Sequence, residues 1–119
     1  MSKDENGQKW QRWQRWLIES QNGNSQSYRS ILQELSIYIS SYVHRRFGRV
    51  LDSEAISQDC LIAIHKNLQT YDPKQPAQPW IHAIIRYKCI DGLRSFEKQM
   101  NIREKIGLEL NVTDSTTKP

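Results

Sequence analysis

The sequence predicts an all-α fold, a compact bundle of about four helices, on three observations. Apolar residues recur at steps of three and four through most of the 119 residues. Capping and helix-breaking residues fall between those runs, at Gln21-Asn22-Gly23-Asn24 and around Asp52-Ser53. No pair of segments shows the strict alternation of two neighbouring strands, and no internal repeat is present.

The elements follow in order. Residues 1–8 are polar and are expected to be disordered. Trp10, Trp13 and Trp16, with Leu17 and Ile18, then mark one face of a helix that should be ordered and packed on the bundle. Asn24 or Ser25 caps a second helix, in which Ile31, Leu32, Leu35, Ile39, Tyr42, Val43 and Phe47 keep helical spacing. Its end is basic, with His44, Arg45, Arg46 and Arg49. Cations there complement the helix dipole, and a polyanion contact is the alternative reading. Asp52 or Ser53 caps a third helix carrying Ile56, Cys60, Ile64 and Leu68 at steps of four. Pro73, Pro76 and Pro79 then stiffen the connection from Thr70 onward, because proline fixes φ and lacks an N–H. A fourth helix starts near Pro79 or Trp80 and buries Ile81, Ile84, Ile85, Leu93 and Phe96. Its pattern weakens after Met100. The domain is therefore expected over residues 9–106, with residues 107–119 as a flexible tail or the start of a linker.

Composition narrows the function. A net charge of +4 and a pI of about 9.2 suit a polyanion partner without requiring one. No run reaches the ~18 apolar residues of a membrane span, and the N-terminus lacks the apolar stretch of a secretion signal, so a cytoplasmic protein without membrane insertion is expected. His44, His65 and His82 stand singly, so no metal site is expected. Cys60 and Cys89 fall in apolar helical runs and read as buried, reduced thiols. No nucleophile–base set and no glycine-rich phosphate loop is readable, which argues against an enzyme and against a bound cofactor.

Three stretches, in order, resemble region 2 of the extracytoplasmic-function (ECF) sigma factors. Asp52-Ser53-Glu54-Ala55-Ile56-Ser57-Gln58-Asp59 resembles the family's Asp-Ala-Glu-Asp-Leu-Val-Gln-Glu run, departing at Ala55 and Ser57. Tyr71-Asp72-Pro73 with Pro76 resembles its Tyr-Asp-Pro loop. The stretch from Trp80 to Arg94 resembles its last helix, Trp-Leu…Ile-Ala-Arg…Ile-Asp…Leu-Arg. The likeness extends over residues 16–96.

The resemblance implies a bacterial transcription-initiation protein that binds core RNA polymerase and melts the promoter −10 element. It implies that Glu54, Gln58 and Asp59 face a coiled coil of the polymerase β′ subunit. It implies that Tyr71 and Asp72 help wall a pocket for a base flipped from the non-template strand. Arg86, Tyr87, Lys88 and Arg94 would then meet phosphates or unpaired bases along the fourth helix. The family further implies an anti-sigma factor as partner, and a second helical domain, region 4, of which this sequence shows no pattern. An isolated domain, a naturally short sigma-like protein and a sigma mimic that binds an anti-sigma factor without touching DNA are the readings this leaves open.

Overall fold

The helical runs become four α-helices in the computed structural model: α1 Ser2–Gln21, α2 Ser25–Phe47, α3 Ser53–Asn67 and α4 Ala77–Thr117. The structure describes the backbone of residues 2–117 and the side chains of residues 6–109. A single 3₁₀ turn, Leu68–Thr70, follows α3, and no strand occurs among the described residues.

Two of the breaks are set by side-chain caps. The Asn24 side chain accepts from the Ser27 N–H at 2.9 Å, and the Asp52 side chain accepts from the Ala55 N–H at 3.1 Å. Each satisfies one of the N–H groups that a helix start leaves unpaired. Gly48 ends α2 at φ 56°, where its N–H returns to the His44 carbonyl at 2.9 Å. A side chain at that φ would be strained, which accounts for glycine after the basic run.

The core is one contiguous cluster. Trp10, Trp13 and Leu17 of α1 pack with Ile31, Leu35, Ile39 and Val43 of α2, Ile56, Cys60 and Ile64 of α3, and Ile81, Ile85 and Cys89 of α4. These are the i, i+3 and i+4 lines seen in the sequence. The tryptophan stripe is thus internal packing, with Trp16 partly buried beside it. Both cysteines are free and buried, and burial, then the neighbouring Cys89, pushes the Cys60 thiol up to about 12. Alkylation of native protein at neutral pH is accordingly expected to be slow, and denaturant should release both thiols to a colorimetric reagent.

Gly92 allows α4 to approach closely. A Cβ there would lie 2.9 Å from Ile56 Cδ1 and 3.0 Å from Leu51 Cδ2. Gly92→Val, with a branched side chain at this contact, is expected to destabilise the fold by about 1–3 kcal/mol in urea unfolding.

Helical backbone extends into both polar ends. It runs through residues 2–8, and α4 continues without interruption through residues 107–117, where a flexible tail was expected. Backbone i→i−4 bonds need no apolar face: residues 101–110 are rich in Ile, Leu, Glu, Lys and Arg, and no proline follows before Pro119. Met1, Lys118 and Pro119 lie outside the described residues. Phe96, expected in the core, is 38% exposed: it lines an open groove with Asp52, Ala55 and Ile56 at the start of α3, where α4 begins to project from the bundle. The same projection makes the molecule 71 Å long, with a radius of gyration of 20.2 Å. A fully compact chain of this size would give about 14 Å. The start of α4 also moves, from Pro79 or Trp80 to Ala77. Pro79 sits in the first turn, where its missing N–H would have had no intrahelical partner.

Candidate functional site

Two surfaces carry the residues singled out in the sequence, and a loop joins them. The first is formed by α2 and α3. With Ile56, Cys60 and Ile64 turned inward, the period of α3 leaves Glu54, Gln58, Asp59 and Ile62 outward. Among the described residues, the side chains of Glu54, Gln58 and Asp59 form no hydrogen bond or ion pair. Ser57, at a position where the resembling pattern has valine, is 3% exposed, and its Oγ donates to the Ser36 carbonyl at 3.1 Å. That bond stitches α3 to α2 and satisfies the buried hydroxyl. A shallow groove results, lined by Ser36, Ile37, Ser40, Ser41, Glu54 and Gln58. The small serines keep the α2 side low, and Ile37 stands above it, 71% exposed. Sequence reasoning missed Ile37. Its signal is an apolar residue that falls off the Ile31–Leu35–Ile39 line of its own helix.

The loop follows the 3₁₀ turn. Asp72 is exposed and closes a tight turn, its side chain accepting from the Lys74 N–H at 3.0 Å and its carbonyl from the Gln75 N–H at 2.9 Å. Tyr71 is not a surface residue: it is 2% exposed, with its ring 5.2 Å from that of Trp80. Its hydroxyl donates to the Gln75 carbonyl at 2.5 Å. Of the two residues, Asp72 is the one at the surface, and Tyr71 belongs to the core. The ring lies beneath the loop and shapes it from below, because a buried aromatic with a satisfied hydroxyl packs better than it solvates.

The second surface is the outward side of α4. Tyr87 is 62% exposed, Ile90 is 41% exposed, and Arg86 and Arg94 are exposed. Tyr87, Ile90 and Arg94 fall at i, i+3 and i+7, a single helical stripe. Lys88 leaves the helix on another side and is half-buried, where its charge reaches the Cys60 thiol. Its Nζ still comes 5.8 Å from the centre of the Tyr87 ring. Among the described residues, Arg86 and Asp91 form no ion pair. The geometry offers an exposed ring flanked by cations, suited to stacking on a base while contacting phosphates.

Electrostatics behind these surfaces are set by α1 and α2. Glu34 accepts from Arg12 at 2.7 Å and from Trp13 Nε1 at 2.8 Å. Burial pushes its carboxyl up, but those two hydrogen bonds and the charges of Arg12 and Lys9 outweigh burial and leave it below the usual range. His82 meets the Tyr38 hydroxyl through Nε2 at 2.7 Å. Burial, followed by the charges of Arg86, Arg46 and Lys9, holds it below the ordinary histidine range. Both groups bind protons less readily folded than unfolded. Each therefore contributes stability above its unfolded value, about 4.3 for Glu and 6.5 for His, that is lost as pH falls through its folded one. Thermal unfolding should show a loss below pH ~6 that His82→Gln abolishes and Glu34→Gln leaves in place. Among the described residues there is no cluster of metal ligands and no helix long and apolar enough to cross a membrane.

Comparison with known proteins gives these surfaces a family. The family profile of sigma-70 region 2 matches residues 31–98, which span most of α2, all of α3, the loop and the first half of α4. The chain belongs to the sigma-70 region 2 family. Within it, the likeness is to the ECF type: the chain is 33% identical over 97 residues to the ECF RNA polymerase sigma factor SigF of Caulobacter vibrioides (strain NA1000 / CB15N). That match covers 81% of this chain and 52% of the relative, so the chain spans about half the relative's length. No solved structure matches.

Proposed function

We propose that this chain is the part of an ECF-type sigma factor that docks on core RNA polymerase and opens the −10 element, acting in the cytoplasm without catalysing a reaction. The observation that carries the reading is the separation of two exposed, chemically distinct faces on one helical core. The α2–α3 groove, acidic and amide-bearing around an apolar Ile37, suits a polymerase β′ coiled coil. An anchor ringed by polar side chains is how protein interfaces concentrate affinity, and charge at the rim selects the partner.

The loop and the α4 face serve DNA. Asp72 and the prolines present a preformed surface to a base extruded from the non-template strand, which reduces the ordering cost of capture. Tyr87 stacks on an unpaired base, and Arg86, Arg94 and Lys88 neutralise phosphates. Tyr71 and Trp80 support the loop from within. An anti-sigma factor would act by covering either face.

Single-stranded DNA binding tests the assignment. Tyr87→Ala should weaken binding of a short −10-type non-template strand by about tenfold, within the ~1–3 kcal/mol of one stacked base. Arg94→Ala should weaken it less and flatten the dependence on salt. Equal binding by wild type and Tyr87→Ala would remove DNA from the role of α4.

A further inference from the structure

The proline loop has few backbone donors of its own, and its internal bonds are confined to the Asp72 turn and the Tyr71 hydroxyl on the Gln75 carbonyl. Pro73, Pro76 and Pro79 contribute no N–H, and the 3₁₀ turn before them ends with the Tyr71 N–H on the Leu68 carbonyl at 3.2 Å. The missing donors come from a distant part of the chain. The Gln21 side-chain amide, at the last residue of α1, donates to the Leu68 carbonyl at 2.9 Å and to the Tyr71 carbonyl at 2.7 Å. One NH₂ group has two hydrogens, and each carbonyl takes one. The contact is reciprocated: the Gln69 amide donates to the backbone carbonyl of Gln21 at 3.3 Å. This second bond also satisfies a carbonyl at the C-terminus of α1, where the helix supplies no partner.

Resting on the assignment of the loop to DNA, we infer that Gln21 is a positioning residue that holds the loop in the shape an unpaired base meets. The clamp fixes the chain at Tyr71, one residue before the exposed Asp72. Beyond the turn, Tyr71 fixes the other side through its hydroxyl on the Gln75 carbonyl. The exposed stretch from Asp72 to Gln75 is thereby tied at both ends. The N-terminal tryptophan helix gains a role beyond packing: its buried face anchors α1, and its last residue sets the loop. Gly23, at φ 92°, turns the chain immediately after Gln21, so α1 ends against the loop instead of running past it.

The test uses the whole chain carrying Gln21→Met, which keeps side-chain length and removes the donors, and Gln21→Lys, which restores donors at the tip. Amide exchange at residues 69–75 should quicken about tenfold in Gln21→Met, as expected for losing two hydrogen bonds. Affinity for short single-stranded DNA of randomised sequence should fall several-fold, while binding to the isolated β′ coiled coil stays unchanged. Gln21→Lys should recover part of the loop protection and part of the DNA affinity. Unchanged exchange in Gln21→Met overturns the clamp. Faster exchange with undiminished DNA binding overturns its positioning role. No DNA binding by the wild-type chain overturns the DNA assignment of the loop itself and the positioning role with it, a failure read from the unsubstituted protein alone.

Discussion

Trp13→Ala is expected to lower the free energy of unfolding by about 3–5 kcal/mol, the range for truncating a large buried aromatic. Trp13 is 1% exposed and lies edge-on to Trp10 and Tyr38, with ring centroids 4.8 and 5.2 Å away. Alanine there opens a cavity between α1 and α2. It also removes the indole N–H from Glu34, leaving that carboxylate with Arg12 alone. The carboxylate side is partly open to water, so the cavity dominates the loss. Urea unfolding followed by circular dichroism should show the midpoint falling with little change in slope. A loss below about 1 kcal/mol would mean that α1 packs only loosely on the bundle.

Ile37→Asp is expected to weaken binding to the β′ coiled coil by about thirtyfold or more, the effect of losing a central interface anchor. Stability should change by no more than about 0.5 kcal/mol, since Ile37 is 71% exposed. The aspartate would add a charge beside Glu54 in the groove, opposing any partner that docks an apolar ridge there. Titration calorimetry of the two purified components separates the effects, with thermal melts as the folding control. Ile37→Asp protein that binds as tightly as wild type would move the docking face away from α2.

Much of this architecture was legible in the residues. The sequence narrows the caps to Asn24 or Ser25 and to Asp52 or Ser53, of which Asn24 and Asp52 serve, and the spacing of Ile31, Leu35, Ile39 and Val43 names the buried side of α2. The Ile56–Cys60–Ile64 line did the same for α3 and, by exclusion, pushed Glu54, Gln58 and Asp59 outward. Periodicity served because these features are local. The rest depended on contacts between residues far apart in the chain. Spacing alone leaves Tyr71, in a proline-punctuated stretch, equally open to a surface or a core role, and the return of α4 with Trp80 decides for the core. The clamp of Gln21 on the loop joins residues 47 and 50 positions apart, which no spacing rule encodes. Ile37 was visible only as an exception to its own helix. The apolar pattern of α4 weakens after Met100 because packing on the bundle ends there, while its backbone stays helical through Thr117.

The central claim is that the α2–α3 groove is a polymerase-docking surface, and direct binding to the isolated β′ coiled-coil segment tests it. The wild-type chain should bind saturably, and a Gln58→Ala/Asp59→Ala double variant, folded by circular dichroism, should lose that binding while keeping its affinity for single-stranded DNA. A folded wild-type chain that does not bind the coiled coil would contradict the claim, and would favour a sigma-like protein whose partner is an anti-sigma factor.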